Sequence, residues 1–358
     1  MSVWSEVRGQ TIAIEQLSRA AARGRLAHGY LFVGPEGVGK RLVAQKFAQS
    51  MFCLKRAHHE LDACGECGGC RPFLAGTHPD FQVVECPEGK REIPIELLVG
   101  SKENRGQEGL CHGLSIKPLA GGRKIAIIDD AHLLNDAGAN AILKTLEEPP
   151  DRAILILVAA TLETVLPTIR SRCHLVRFQP LGSTDLITLL SADGSVDEAA
   201  AREVSLLCDG SLALARQLLD PVLWELRREL QSTLRERRFQ GHTLAKAVMS
   251  KVEGIAAETS GQREILQHVF KFIVDYLRQV IGGLCHTGRE TGSKELQANP
   301  DVAAFVRMLG ANAETLEGLA VMVDRVIEAG MHVHQNANLS LCLEACFDDL
   351  SRKRAELI

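Results

Sequence analysis

Short apolar runs alternate with helical patterns over the first half of the chain. The runs lie in "HGYLFV", "FQVVEC", "KIAIIDD" and "AILILVAAT". Apolar residues at helical spacing fill the segment from Ile12 to Ala22, "RLVAQKFAQSMF" and "DAGANAILKTLEE". Continuous apolar strands separated by helices are typical of a mainly parallel sheet that helices cover on both faces. We therefore expect residues 1–180 to form one α/β domain.

Helical spacing replaces the strand-like runs after residue 180. "EAAAREVSLLC", "SLALARQLLD" and "PVLWELRRELQSTL" have apolar positions at helical spacing, with Gly or Pro between them. The final segment, "IEAGMHVHQNANLSLCLEACFDDLSRKRAELI", predicts a terminal helix pair. We expect a small helical lid over residues 181–225 and a larger all-α domain over residues 226–358.

Composition narrows the class of protein only a little. The 358 residues are 46% hydrophobic and 24% charged, with a formal net charge of −4, as in ordinary globular proteins. A chain that is not a polycation needs a local basic patch or a partner to contact nucleic acid. No charged leader precedes an apolar run, and "AILILVAA" at 153–160 is too short to span a bilayer. These features predict a cytoplasmic protein with no membrane contact.

The stretch "GPEGVGKR" lies between a predicted strand and a predicted helix. It approaches the phosphate-loop pattern G-x-x-x-x-G-K-[ST]. Gly34, Gly37 and Gly39 allow tight turns that aim backbone amides at an anion, and Lys40 supplies a positive charge. Arg41 stands where a hydroxyl would bind Mg²⁺, and a cation there competes with the ion.

The run "IAIIDD" resembles the second half of such a site. The strand would deliver Asp129 to a metal, and Asp130 follows where hydrolysing relatives carry Glu. The shorter side chain withdraws the carboxylate by about an ångström, which catalytic geometry tolerates poorly. Two interpretations remain open: a loop that only packs, or a site that binds ATP or ADP without hydrolysis. In the second, the loop glycines, Lys40, Arg41, Asp129 and Asp130 bind the cofactor.

Four of the eleven cysteines are spaced as metal ligands, in the pattern C-x10-C-x2-C-x2-C. They are Cys53, Cys64, Cys67 and Cys70. Thiolates at this spacing can converge on one ion, and four protein ligands make a structural Zn²⁺ site. His58 or His59 could replace one thiolate, and a buried or redox-active thiol cluster is the alternative. The other seven cysteines have no paired spacing and are interpreted as small buried hydrophobes.

Three segments resemble the AAA+ clamp-loader subunits of bacterial DNA polymerase III: "GRLAHGYLFVGPEGVGK", "DDAHLLNDAGANAILKTLEEPP" and "LPTIRSRCHLVRFQPL". The resemblance is specific through about residue 215. "CRPFLAGTHPDFQVVE", Arg41 and Asp130 resemble the delta-prime branch more than the ATP-hydrolysing gamma/tau branch. Ala213, in "DGSLALAR", stands where gamma/tau subunits carry a sensor arginine, although Arg216 lies one helical turn further on.

This resemblance implies a fold, a role and a set of partners. The fold is an AAA+ P-loop domain with an inserted zinc module at about 53–70, a helical lid and an all-α collar. Arg172, in "SRC", is implied to act as a finger on a neighbour's ATP, while the chain's own ATPase activity is expected to be absent. Implied partners are gamma/tau-type ATPase subunits and a delta-type subunit in a hetero-pentameric ring. The sliding clamp and primer-template DNA are implied to be reached through that complex.

Two other functions compete with this interpretation. In a gamma/tau-type motor, Asp130 would act as the base and a water would stand in for the missing hydroxyl. An AAA+ or zinc-containing DNA-binding module acting outside replication has less support, because the basic residues are scattered rather than clustered.

Overall fold

The computed structural model describes residues 2–357, except 88–89, 91, 121, 193, 195, 286–299 and 336. Residue contacts divide the chain into two compact units, Met1–Arg216 and Gln217–Ile358. Most of the segment predicted as a separate lid falls within the first unit. The division into three domains therefore stays a prediction.

The first unit combines strands with helices. Its strands are β1 (Gly29–Val33), β2 (Phe81–Val84), β3 (Lys124–Ile128), β4 (Ala153–Ala159) and β5 (His174–Arg177). Its helices are α1 (Thr11–Ala22), α2 (Lys40–Phe52), α3 (Cys70–Leu74), α4 (Glu96–Val99), α5 (Gly109–Ser115), α6 (Asp136–Glu147), α7 (Pro167–Arg170), α8 (Ser183–Ser191), α9 (Glu198–Ser205) and α10 (Leu212–Leu218). Short 3-10 turns occupy Val3–Glu6, His58–Glu60 and Ala131–Leu133.

The strands form one parallel sheet in the order β2-β3-β4-β1-β5. Every residue of β3 and β4 is buried, which explains why these two strands have continuous apolar sequences. The predicted parallel α/β sheet is confirmed. The edge strand β5 was not predicted, because only Val176 within it is fully buried and no apolar run marks it.

Strand register brings the ends of β2 and β3 to the same level. Val84 pairs with Ile128, and the Asp129 amide donates a hydrogen bond of 2.9 Å to the Val84 carbonyl. Glu85 and Asp129 therefore leave adjacent strands side by side. Ligands of open parallel sheets bind beyond such carboxyl ends.

The loop after β1 requires glycine at two positions because other groups approach its backbone. A Cβ on Gly34 would lie 2.5 Å from the Phe178 carbonyl oxygen. Gly37 has a φ of +70°, and a Cβ there would lie 2.7 Å from the Ala213 Cβ. The turn can therefore close only with glycine at these two places.

The second unit is helical throughout its described part. Its helices are α11 (Pro221–Arg235), α12 (Gly241–Ile255), α13 (Thr259–Cys285), α14 (Pro300–Met308), α15 (Ala313–His334) and α16 (Leu339–Glu356). The predicted terminal helix pair is confirmed by α15 and α16. Within the described ranges, no helix of either unit combines the length and the apolar character that crossing a membrane requires.

Arg354 is a fully buried cation in the described core of the second unit. The Arg354 guanidinium donates hydrogen bonds to the carbonyls of Leu234 (3.1 Å) and Arg235 (2.9 Å) at the end of α11. It also lies 4.6 Å from the ring centroid of Phe305. A cation at a helix C-terminus satisfies the last carbonyls and complements the helix dipole, so Arg354 fastens α16 to α11.

A buried ion pair fixes the amino ends of β2 and β3. The Asp80 carboxylate accepts hydrogen bonds from the amides of Leu119 and Ala120, each 2.9 Å, and lies 3.3 Å from the Lys124 ammonium. Asp80 is 3% exposed. Burial raises its pKa, but the two amides and Lys124 outweigh burial, and the pKa lies below its ordinary value.

Replacing Asp80 should destabilise the first unit. Asp80→Asn leaves the Lys124 ammonium buried without its counter-charge, and we expect the free energy of unfolding at pH 7 to fall by about 3 kcal/mol. Urea denaturation followed by Trp4 fluorescence in a Trp224→Phe background measures this in the first unit.

The pH dependence of this effect follows from the lowered pKa. A carboxyl whose folded pKa is depressed stabilises the fold above its unfolded pKa of about 3.9 and loses that contribution as pH falls through the folded value. The gap between wild type and Asp80→Asn should therefore narrow in acid. Asp151→Asn, at an exposed position, is the control. Equal stability of the two variants at pH 7 would contradict the prediction.

Candidate functional site

A cavity of about 670 Å³ lies at the carboxyl edge of the sheet. This volume is within the usual range of ligand pockets, roughly 300–1,000 Å³. Six of the seven predicted cofactor-binding residues line it: Gly37, Gly39, Lys40, Arg41, Asp129 and Asp130. Gly34, the seventh, lies at the start of the loop against Phe178 and is not part of the lining.

Lys40 is folded back onto its own loop. Its side chain is buried, with 7% of the residue exposed, and its ammonium donates hydrogen bonds to the carbonyls of Gly34 (2.7 Å) and Pro35 (2.6 Å). Burial lowers the pKa of Lys40, and nearby carboxylates offset this only in part. A phosphate that binds Lys40 must therefore compete with two backbone carbonyls.

Arg41 bridges the two carboxylates that follow β2 and β3. Its guanidinium forms a short ion pair with Glu85 and lies 3.1 Å from the Asp129 carboxylate. Burial lowers the pKa of Arg41, but these two carboxylates outweigh it and the net pKa is raised. For Asp129, burial and neighbouring Asp130 raise the pKa, and Arg41 only partly opposes them. The guanidinium thus binds the carboxylate that the sequence analysis assigned to a metal ion.

Asp130 has an unusual backbone. Its φ of +51° lies in the left-handed region, and its amide donates a hydrogen bond of 3.1 Å to the Asp129 carboxylate. The residue begins the 3-10 turn Ala131–Leu133, which leads into α6. This turn sets the direction in which the short Asp130 side chain enters the cavity.

Helix α10 packs directly on the phosphate loop. The Leu212 amide donates a hydrogen bond of 3.0 Å to the Gly37 carbonyl, and Ala213 packs against the same glycine. Ala213 and Arg216 both line the cavity. Helix α10 therefore places the Arg216 guanidinium at the cavity, one helical turn beyond Ala213.

Three residues near the cavity were missed from sequence. Arg8 lines it, Glu85 pairs with Arg41, and the buried Gln10 side chain links the Val38 carbonyl (3.2 Å) to that of Gln179 (2.8 Å). The sequence could have indicated Glu85 as a site residue, because Glu85 directly follows a predicted strand as Asp129 does. No feature of the sequence marked Arg8 or Gln10, since neither belongs to a motif.

The four predicted cysteines come together. Their Sγ atoms all lie within 4.8 Å of one another, and neither His58 nor His59 belongs to the group. The Cys53 and Cys64 sulfurs are 3.7 Å apart, close to the roughly 3.8 Å edge that Zn–S bonds of about 2.3 Å give a tetrahedron. The four sulfurs are therefore close enough to hold one metal ion such as zinc.

Backbone amides point at the sulfurs of this cluster. Cys67 Sγ accepts hydrogen bonds from the amides of Leu54 and Cys70, each 3.4 Å, and Cys53 Sγ accepts one of 3.4 Å from Cys64. Burial raises the pKa of Cys67, but these amides outweigh it and lower the pKa to about 6. Amide donors favour the thiolate form, which is the form that binds metal.

The cluster is attached to the amino-terminal segment. The Trp4 indole donates a hydrogen bond of 2.7 Å to the Leu61 carbonyl, and the Asp62 carboxylate accepts one of 2.8 Å from the Val3 amide. Val3 packs among the cysteines. The residues that follow, Glu6 to Arg8, line the cavity at the carboxyl edge of the sheet, so the cysteine module holds one wall of that cavity.

Arg172 does not line the cavity of its own chain. It follows α7, where its guanidinium donates a hydrogen bond of 2.9 Å to the Thr168 carbonyl and lies 2.7 Å from the Glu147 carboxylate. The side chain is 36% exposed. Its pairing with Glu147 was not predicted from sequence.

A family model and several known proteins are similar to this chain in sequence. The family model described as "DNA polymerase III, delta subunit" matches residues 9–182. A DNA polymerase III subunit delta' from Pseudomonas aeruginosa is 38% identical over 159 residues, 44% of this chain and 44% of the relative. One from Yersinia pestis is 28% identical over 308 residues, 84% of this chain and 82% of the relative.

A gamma/tau subunit is also similar. The DNA polymerase III subunit gamma/tau from Mycobacterium tuberculosis is 33% identical over 188 residues, 52% of this chain and 30% of that relative. The match to the Pseudomonas aeruginosa protein likewise spans less than half of its length. The family model favours the delta-type branch, because it describes a delta subunit and matches residues 9–182. Residues 9–182, which contain the parallel sheet and its glycine-rich loop, match the delta-subunit family model, and the chain is similar to proteins named DNA polymerase III subunit delta', which supports the resemblance to delta-prime subunits of clamp loaders.

Proposed function

We propose that this chain is a non-catalytic subunit of a replicative clamp loader and supplies Arg172 to the ATP site of a neighbouring subunit. The ion pairing of Arg41 with Asp129, 3.1 Å apart, carries the proposal. A site whose metal carboxylate is neutralised by an arginine cannot arrange Mg²⁺ as P-loop hydrolases do. The catalytic contribution that we assign to this chain is therefore the Arg172 guanidinium, which lies outside the chain's own cavity.

The cavity itself binds ATP or ADP without turnover. Val7, Leu181, Leu189 and Leu212 supply an apolar lining that suits a nucleotide base, while Lys40 lies near the loop that would hold the phosphates. Asp130 takes the place of the glutamate that orients water, and its carboxylate is too short for that task.

Arg172 is suited to act in trans. Its partner in the free chain is Glu147, and both side chains are partly exposed. Surface ion pairs of this kind contribute only about 0–1 kcal/mol, so exchanging the carboxylate for a neighbour's phosphate costs little. An arginine supplied from a neighbour raises phosphoryl-transfer rates by about 10³–10⁵ in other systems.

The partners follow from family membership. Gamma/tau-type ATPase subunits and a delta-type subunit complete the hetero-pentameric ring, and the helical second unit serves as its collar. The sliding clamp and primer-template DNA are engaged through the assembled ring. Loading a clamp requires a scaffold of fixed geometry, and a subunit that does not hydrolyse ATP suits that role.

A gamma/tau-type motor is the second candidate, and Arg216 favours it. This exposed arginine lines the cavity from α10, where it would face the terminal phosphates. Turnover by the isolated chain separates the two candidates, because only the motor hydrolyses ATP alone.

The cysteine module holds a structural Zn²⁺ ion. Cys53, Cys64, Cys67 and Cys70 would supply all four ligands, which leaves no open position for chemistry. The ion then stabilises the module that anchors Val3 and Trp4.

We expect Arg172→Ala to lower ATP turnover by the assembled loader by about tenfold or more, because one site loses its finger. The isolated wild-type chain should be inert. Steady-state phosphate release measures both quantities, and Arg177→Ala, at an exposed arginine at the end of β5, is the matched control.

The outcomes separate the candidates. Unchanged turnover in the Arg172→Ala assembly would remove the finger role. Hydrolysis by the isolated chain at the rate of working relatives would establish the motor instead.

We expect the purified chain to contain one zinc ion per molecule. Cys67→Ser should lose most of it and change the Trp4 fluorescence in a Trp224→Phe background, because Trp4 is bonded to the module. Cys285→Ser, at an exposed cysteine outside the cluster, should keep the metal. Atomic emission measures the content, and equal zinc in both variants would contradict the assignment.

A further inference from the structure

The last residue of α6 is paired with a residue that follows α7. Glu147 ends α6, and Arg172 lies two residues beyond Arg170, the last residue of α7. The Arg172 Nη2 atom lies 2.7 Å from a Glu147 carboxylate oxygen. Since the two groups come from different helices, this ion pair is a contact between elements and belongs to neither helix alone.

The start of β1 fixes the backbones that carry the pair. The His28 Nε2 atom lies 3.0 Å from the Leu146 carbonyl oxygen, in the last turn of α6. A Cβ on Gly29 would lie 2.8 Å from the Leu146 side chain and 3.4 Å from the Arg172 carbonyl oxygen. The end of α6 and the Arg172 backbone therefore both pack on the same two residues of the chain.

Arg172 has a second set of contacts that does not involve Glu147. Its Nη1 atom donates hydrogen bonds to the Thr168 carbonyl (2.9 Å) and to the Ser171 hydroxyl (3.2 Å). Both partners lie within four residues of Arg172 along the chain. The guanidinium therefore keeps its local support at the end of α7 when the Glu147 carboxylate is exchanged for another anion.

A carboxylate at the end of α6 is unfavourable for the helix itself. The C-terminus of a helix carries a partial negative charge, so an acidic side chain in the last turn opposes the helix dipole. Glu148 adds an exposed negative charge directly after Glu147. The negative charge at this place instead attracts the Arg172 guanidinium.

We propose that Glu147 is a positioning residue that holds the Arg172 guanidinium in the free chain and releases it to the terminal phosphate of a triphosphate bound by a neighbouring subunit. This rests on the proposed function in taking Arg172 as a finger. The carboxylate and the phosphate compete for one guanidinium, so the finger engages only when the carboxylate has been displaced.

This competition makes the finger selective for a triphosphate. Arginine fingers stabilise the charge on the transferred γ-phosphoryl group. A diphosphate has no group at that position and does not compete with Glu147. A terminal phosphate carries more negative charge than one carboxylate and forms strong charge-assisted hydrogen bonds with a guanidinium. Engagement therefore depends on ATP in the neighbour and not on assembly of the ring alone.

The exposure of the pair sets the size of the effect. The side chains of Arg172 and Glu147 are 36% and 49% exposed, so solvent screens their attraction. A ligand that binds only the released finger gains apparent affinity when the competing state is removed. For a pair of this kind the gain is about two- to fivefold.

The test is ATP turnover by the assembled loader, with ADP as a competing ligand. Glu147→Gln keeps the size of the side chain and removes its charge, so the ATP concentration for half-maximal turnover should fall about two- to fivefold. The maximal rate should stay within about twofold of wild type, because saturating ATP releases the finger in both proteins. The ADP inhibition constant should not change. Glu148→Gln makes the same charge change at the adjacent exposed residue and should behave as wild type.

A double substitution shows whether Glu147 acts through Arg172. Adding Glu147→Gln to Arg172→Ala should alter neither the maximal rate nor the half-maximal ATP concentration, because no guanidinium is left to release. An effect that persists without Arg172 would overturn the proposal. Wild-type behaviour of Glu147→Gln, or a loss of turnover in that variant, would overturn it as well.

Nuclear magnetic resonance of the isolated chain with labelled arginine tests the pair without turnover. The Arg172 guanidinium signals, identified by their absence in Arg172→Ala, should move with Glu147→Gln and not with Glu148→Gln. Signals that stay in place with Glu147→Gln would show that no such pair forms in the free chain, and the proposal would be wrong.

Failure of this proposal and failure of the finger role give different results. Unchanged turnover in the Arg172→Ala assembly would remove the finger role and this proposal with it. Slow turnover in that assembly, together with wild-type behaviour of Glu147→Gln, would keep the finger and remove only its release from Glu147.

Discussion

The parallel pairing of β2 with β3 is the constraint on which the first unit depends. Because the two strands share one register, their flanking charges also meet in pairs. At the amino ends, buried Asp80 lies 3.3 Å from Lys124. At the carboxyl ends, Glu85 and Asp129 share Arg41. An ion pair between oppositely charged side chains thus lies at each end of the strand pair. The pair at the carboxyl ends occupies the place where P-loop hydrolases bind a metal ion.

Under the proposed function, this charge balance explains how a phosphate-loop fold can lose hydrolysis and keep its cavity. The phosphate loop retains the glycines that its close contacts with Phe178 and Ala213 demand. Arg41, Asp130 and Ala213 are the positions that depart from the pattern of hydrolysing subunits, and none of the three lies in a strand of the sheet. Arg172 lies just beyond the end of α7 and does not line the cavity.

The cysteine module has a structural consequence beyond its own fold. It holds the segment that begins at Val3 through hydrogen bonds and apolar contact, and that segment continues to Arg8 at the cavity. A short module with little core of its own gains most from a metal, since four ligands replace the hydrophobic contacts it lacks. Its order is therefore coupled to one wall of the cavity.

Local patterns determined the strand and helix content, the phosphate loop and the four-cysteine set, because each depends on residues close in sequence. The edge strand β5 was missed, since only Val176 is fully buried within it. Pairing between distant side chains was decided only by the tertiary structure. Arg41 meets Glu85 across 44 residues, and Arg172 meets Glu147 because α6 and α7 pack together. The sequence marks the charged groups, but only the folded sheet and helices decide which opposite charges come within bonding distance.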